Sequence, residues 1–187
     1  MNSTELNLEA ITTSELPAEA AFNFWWRSGV YTREAKLTPV DFTELYRLPE
    51  ESGLVTYCTS HVKRIHSNGE YEQCSYFVDL FDDQQLVGIG EMRYIQTIDT
   101  PYFSGKPLVG MTRTEDEFQR RGLGVRRLRV MNHLAQMLHG FNLNSDTIIT
   151  DEAMGVWRKL IELGLAEAYT EYDTSIEDGL NRFRLVS

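Results

Sequence analysis

The run Gln119-Arg120-Arg121-Gly122-Leu123-Gly124 holds the residue types that point most directly to chemistry. Two glycines one residue apart let a backbone turn bring its N–H groups close to a bound anion. Val125, Leu128, Met131, Leu134, Ala135 and Leu138 follow at spacings of three and four, so the run opens an amphipathic helix. The start of a helix carries unpaired N–H groups and about half a positive charge. Arg120, Arg121, Arg126, Arg127 and Arg129 add cations to the same stretch. A diphosphate is the natural occupant of such a turn. The competing reading is structural: Gly122 and Gly124 shape a tight strand-to-helix connection, and the arginines are solvated. The three-glycine dinucleotide fingerprint and the lysine-bearing phosphate loop are both missing from the sequence, which favours neither NAD nor ATP.

Several elements must hold this turn. Residues 54–66, 71–81 and 85–95 are rich in Val, Ile, Tyr, Phe and Thr and are separated by Asn68-Gly69 and Asp82-Asp83. They predict a three-stranded antiparallel meander, with a fourth strand starting near Leu108. A two-residue turn at Asn68-Gly69 would pair Ser67 with Glu70 and place Cys74 opposite Lys63. Cys58 then lies too far off register for a disulfide, and two free thiols are expected. Upstream, a short strand is expected over residues 6–11 and a helix over 14–28. A second helix is expected from the cap Thr38-Pro39 to Leu48-Pro49. Downstream, His139-Gly140 ends the long helix and a short strand follows near Leu143. A helix runs from Thr150 to Gly164, and strands cover 168–172 and 181–186. The order predicts an α/β (α+β) fold in which a mixed, mostly antiparallel sheet of six or seven strands is flanked by about four helices. It forms one domain over residues 1–187.

The 187 residues carry 18 Lys and Arg against 28 Asp and Glu, a formal charge of −10. A surface this acidic repels a phosphate backbone, so general nucleic-acid binding is not expected, whereas cationic amines would be attracted. No apolar run approaches the length of a membrane span, and the first residues lack the pattern of a secretory signal, so no membrane contact and a cytoplasmic location are expected. The four histidines show no metal-ligand spacing, and no metal is expected.

Gln119, Gly122 and Gly124, set between a strand and a helix, resemble the Q/R-x-x-G-x-G/A turn of the GNAT superfamily of acyl-CoA-dependent N-acyltransferases. Residues 150–165, from Thr150-Asp151-Glu152-Ala153 through Trp157 to Leu163-Gly164-Leu165, are similar to that family's second conserved helix. The resemblance implies a sheet whose fourth and fifth strands run parallel and then splay, with acetyl-CoA (coenzyme A) as cosubstrate in the gap. It implies contacts to the pantetheine arm from Met111, Thr112, Arg113 and Thr114. It implies diphosphate contacts from Gln119, Arg120, Arg121, Gly122, Leu123, Gly124 and Val125, with an oxyanion donor at the backbone N–H near Thr112.

A base for the ammonium substrate is then sought in Glu91, Glu115 or Glu117, each of which has the alternative reading of a solvated carboxylate. The helix position that often holds a tyrosine acid is Trp157, whose indole cannot protonate a thiolate and whose expected role is core packing. The family's usual asparagine is replaced by Thr150. Ser145, Tyr169, Tyr172 or water stands in for the acid. The acceptor implied is a small-molecule amine or a basic protein segment, and a homodimer is common on the scaffold. The alternative to an N-acetyltransferase is a CoA-binding regulatory protein without turnover.

Overall fold

A computed structural model of the chain describes residues 12–13, 44–49, 53–64, 71–82, 85–96, 105–146, 149–171 and 180–186. Strands β1 (Thr12–Thr13), β2 (Glu44–Pro49), β3 (Leu54–Arg64), β4 (Tyr71–Phe81), β5 (Gln85–Gln96) and β6 (Lys106–Thr114) form one antiparallel sheet in chain order. A single 3-10 turn, Asp116–Phe118, leads into helix α1 (Leu123–His139). Helix α2 (Asp151–Glu162) and a hairpin of β7 (Ala166–Glu171) and β8 (Leu180–Leu185) complete the described elements.

Alternation along the strands gives the sheet two apolar faces. On one face Cys58, Phe77, Met92 and Val109 pack with Leu128, Met131, Leu134 and Ala135 of α1 and with Trp157 and Leu160 of α2. Trp157 stacks on Phe183 at 5.7 Å between ring centres, which gives the indole the packing role expected of it. On the other face Val55, Tyr57, Cys74, Tyr76, Val78 and Ile89 form a second cluster. Helix α2 starts where its sequence signals place it: Thr150 Oγ1 accepts the Ala153 N–H at 3.3 Å, and Asp151 and Glu152 lie at the positive end of the dipole.

The residues 143–145 join the sheet to the hairpin. Asn144 N–H donates to Pro107 O at 2.8 Å and Asn144 O accepts from Val109 N–H at 2.9 Å, a parallel bridge to β6. On its other side the same segment pairs with β8, where Ser145 N–H donates to Phe183 O at 2.8 Å and Leu143 O accepts from Leu185 N–H at 3.0 Å. Among the described residues the parallel pairing to β6 is this one isolated bridge, and β6 continues past Val109 to Thr114 as the edge of the six-stranded sheet.

Two expectations are corrected. Glu44–Pro49 is a strand paired with Val55–Ser60 rather than the end of a helix opened at Thr38. The capping signal there is local, whereas the edge of β3 offers a row of backbone partners, and Leu48 reaches the core from β2 at 2 % exposure. The β3–β4 register sets Cys74 opposite His61 and Arg64 opposite Tyr71, two residues away from the register expected of a turn at Asn68-Gly69, which lie outside the described residues. A slip of two residues leaves every side chain on the same face, which is why the apolar pattern does not detect it. Both cysteines are free, as expected, and they lie in different clusters. The strand and helix expected over residues 6–11 and 14–28 lie outside the described residues.

The helix face of the sheet carries one row of a different kind. Register aligns Thr56, Asp79, Gly88 and Thr114 across β3, β4, β5 and β6. Arg127 of α1, fully buried, lays its guanidinium along this row. Its Nε meets Asp79 Oδ2 at 2.7 Å, and its Nη1 donates to Thr112 Oγ1 at 2.9 Å and to Arg113 O at 2.8 Å. Thr56 Oγ1 donates to the other Asp79 oxygen at 2.6 Å, and Arg126 approaches the same oxygen at 3.4 Å. The missing side chain at Gly88 makes room: a Cβ there would stand 1.9 Å from Arg127 Nη2 and 2.5 Å from the Arg113 carbonyl. Because the obstruction includes backbone as well as a held guanidinium, Gly88→Ala is expected to destabilise the fold by about 1–3 kcal/mol. Urea denaturation followed by circular dichroism measures this, and a shift within about 0.5 kcal/mol would refute it.

Candidate functional site

The turn between β6 and α1 is built from its ends inward. Phe118 is buried against Leu54 and Val87 and anchors the 3-10 turn to the sheet. The Gln119 amide donates to Asp116 Oδ1 at 2.8 Å and to Thr114 O at 3.3 Å, so this side chain braces the loop. Arg121 donates to Glu117 O at 2.8 Å and lies over the Phe118 ring at 5.3 Å. The backbone then passes through two left-handed residues, Arg120 at φ 60° and Gly122 at φ 82°. Gly122 is the helix N-cap, for which a residue with a Cβ would pay about 1–2 kcal/mol.

No side chain caps this helix start, and no acidic residue sits in its first turn. The first intrahelical bond runs from Arg126 N–H to Gly122 O at 3.0 Å. The N–H groups of Leu123, Gly124 and Val125 precede it and have no acceptor within the helix. A Cβ on Gly122 would meet nothing within 4 Å, so the outer side of the turn is open. Arg120 and Arg121 are exposed there. Arg126 and Arg127 are not: both turn inward to Asp79, so of the five arginines read from the sequence two are exposed at the turn, two point into the fold and Arg129 is half-buried further along α1.

The edge of β6 leads away from this turn. Glu115 N–H donates to Val87 O at 2.9 Å, which fixes the phase of the β5–β6 ladder. Alternation then directs the backbone groups of Met111, Arg113 and Glu115 toward β5 and those of Thr112 and Thr114 to the outer edge. The Gln119 amide on Thr114 O agrees with this phase. The row ends at Gly110, an extra residue in the ladder between the pairs Glu91–Met111 and Met92–Val109.

Glu91 stands at that bulge. A Cβ on Gly110 would lie 2.9 Å from both Glu91 Oε1 and Arg93 Nε, so these β5 side chains cross β6 where it has none. Arg93 Nη2 continues to Asp146 Oδ2 at 2.8 Å, just beyond the bridge between Asn144 and β6. Glu91 is largely buried, and that burial raises its pKa above the usual carboxylate value; Arg93 beside it works in the opposite direction.

The other candidates lie elsewhere. Glu117 is exposed on the 3-10 turn, where its carboxylate accepts from the Gln85 amide at 3.0 Å, and Glu115 faces Arg113 at 3.7 Å. Ser145 is 1 % exposed, and its Oγ accepts the Phe183 N–H at 3.1 Å. Tyr169 OH donates to Asn144 Oδ1 at 3.0 Å, beside a cleft of about 460 Å³ that Gly105, Lys106, Asn142 and Arg184 also line at the C-terminal end of α1. Tyr172 lies outside the described residues. Of the acid–base candidates among the described residues, Glu91 is the one at the bulge that closes the edge of β6. Sequence reasoning missed Asp79, Arg93 and Asp146, whose partners are 48, 2 and 53 residues away. Among the described residues, no group of three His, Cys, Asp or Glu is placed to hold a metal ion, and no helix is long and apolar enough to cross a membrane.

No protein-family model matches the sequence, and no curated protein matches it. Solved structures do. A GNAT-family protein from Desulfovibrio desulfuricans is 15% identical, with 60% of this chain and 67% of that one covered at a TM-score of 0.42. A Bacillus subtilis acetyltransferase in complex with CoA is 9% identical, with 60% and 76% covered at 0.41. An indication of wider coverage comes from a Lactobacillus plantarum protein named as an N-acetyltransferase, 12% identical over 94% and 96% of the two chains at 0.43.

Proposed function

We propose that the chain is an N-acetyltransferase, one domain over residues 1–187, that transfers an acetyl group from acetyl-CoA to a primary amine within a ternary complex. One observation carries the reading: among the described residues, an uncapped helix start and a strand edge with no further strand beside it are continuous, and they end at a largely buried carboxylate. The N–H groups of Leu123, Gly124 and Val125, with Arg120 and Arg121 beside them, suit a diphosphate. The outward backbone groups of Thr114 and Thr112 suit an arm carrying two amides, which would pair as an added strand does. From Glu115 back to Gly110 the edge is about 17 Å long at roughly 3.4 Å per residue, a span that fits an extended arm. The thioester would then stand at the Thr112 N–H, on the approach to Gly110, where Glu91 crosses the strand.

In this reading Glu91 takes a proton from the ammonium substrate. The amine nitrogen attacks the thioester carbonyl, the Thr112 N–H receives the oxygen on which charge develops, and the C–S bond breaks. The thiolate that leaves takes up, through water or a hydroxyl, the second proton that the nitrogen sheds as the amide forms, and an amide and free CoA result. An acidic surface at −10 suits a cationic small molecule or a basic protein segment as acceptor.

Isothermal titration with acetyl-CoA is expected to show a single site. Gly122→Glu, whose side chain extends into the open side of the turn, is expected to weaken it by at least about a hundredfold through repulsion of the phosphates. Wild-type affinity in that variant would sink the reading. For turnover, thiol release with an amine panel is expected to rise with pH through a value above the ordinary carboxylate range, because ionised Glu91 is the active form. Glu91→Gln is expected to lower kcat by about 10²–10⁴ and to abolish that limb. Coenzyme binding without thiol release from any amine would instead support a regulatory role.

A further inference from the structure

We propose that Arg127 is a positioning residue for the coenzyme site, holding the β6 edge in register with the turn at the start of α1; this rests on the acyl-CoA reading above. Among the described residues, β6 from Gly110 onward has a neighbouring strand on one side only. An edge with one neighbour is free to twist or shift, and a displacement of an ångström there would separate its backbone groups from a ligand anchored elsewhere. Arg127 removes that freedom. Its guanidinium holds three successive residues of β6 from the helix side: Thr112 Oγ1 at 2.9 Å, Arg113 O at 2.8 Å and Thr114 Oγ1 at 3.3 Å.

The same side chain belongs to α1, three residues beyond Gly124. The helix start that would bind the diphosphate and the strand edge that would bind the arm are therefore tied through one rigid, planar group. Asp79 holds that group from the opposite side, and Gly88 and Gly90 leave space for it: a Cβ on Gly90 would stand 3.0 Å from Arg127 Cδ. A lysine would keep the charge and a bond to Asp79 but lose the fork that spans three β6 residues. Arg127 touches neither ligand nor reacting atoms in this scheme, and its effect passes through Thr112 and Thr114.

The test compares CoA, which has both diphosphate and arm, with ADP, which has the diphosphate alone. Calorimetric titration of the full chain is expected to show CoA bound more tightly than ADP. Arg127→Lys is expected to weaken CoA by about tenfold and ADP by less than about threefold, a loss of selectivity that a general loosening would not produce. Thr112→Val, which removes a single acceptor at constant volume, is expected to weaken CoA about threefold with ADP unchanged. Equal weakening of both ligands, or CoA affinity unchanged in both variants, overturns the proposal. If circular dichroism shows Arg127→Lys unfolded, the result for Thr112→Val decides alone. A wild-type chain that binds neither ligand overturns the acyl-CoA reading itself, and the positioning role with it.

Discussion

Asp79 lies two residues from the end of β4 at 0 % exposure, and Arg127 meets it from the neighbouring helix at 2.7 Å. Burying such a pair costs several kcal/mol in lost hydration, which geometry and further hydrogen bonds must offset. Here both requirements are met. Thr56 and Arg126 occupy the second carboxylate oxygen, while two threonine hydroxyls and a carbonyl accept from three of the four remaining guanidinium N–H groups. Removing either partner would leave the other charged and enclosed, so α1 has one seat on the sheet. Apolar contacts from Leu128, Met131 and Leu134 supply much of the packing energy but tolerate sliding. The ion pair fixes the angle and height at which the helix, and the turn that opens it, is presented.

That constraint explains why side chains vanish from β5 and β6 where they do. Gly88 and Gly90 face α1 and leave a trough for Arg127. Gly110 faces the other way and leaves a crossing for Glu91 and Arg93. Each glycine sits opposite a long polar side chain that needs the space. The bulge at Gly110 directly follows the bridge between β6 and Asn144, and the same residue breaks the ladder and admits the carboxylate. Asn132 stabilises the bridging segment by accepting the Leu143 N–H at 2.8 Å, which ties it to α1 as well.

What was legible in the sequence is what depends on near neighbours. The 3.6-residue period of α1, its stop at Gly140, the Thr150 cap of α2 and the bounds of β4 all follow from residues within a few positions of one another. The misread segment, Glu44–Pro49, carries sound helix-entry signals upstream, but its state is decided by β3, whose edge it pairs. The hairpin register failed for a related reason, since Asn68-Gly69 is a strong turn signal and either register keeps the same faces inward. At the site, Gly122 and Gly124 were legible because a turn is local. Arg126 and Arg127 were not, because their partner lies on a strand 47 and 48 residues earlier and nothing near them marks the direction of their side chains.

The division of charge bears on how an acidic chain could still receive an anion. With a formal charge of −10, the long-range field opposes a polyphosphate, so attraction must be generated within a few ångströms. The turn meets that need in three ways. It keeps Asp and Glu out of the first turn of α1, leaves the helix N–H groups uncapped, and exposes Arg120 and Arg121 while Asp79 takes the next two arginines inward. On the opposite face of the sheet the sign reverses, and Arg93 lies between the carboxylates of Glu91 and Asp146. On the proposed reading the two ligands of one reaction meet fields of opposite sign from opposite faces of β6. The strand separates the phosphate end from the amine end, and the side chain missing at Gly110 is where the two can meet.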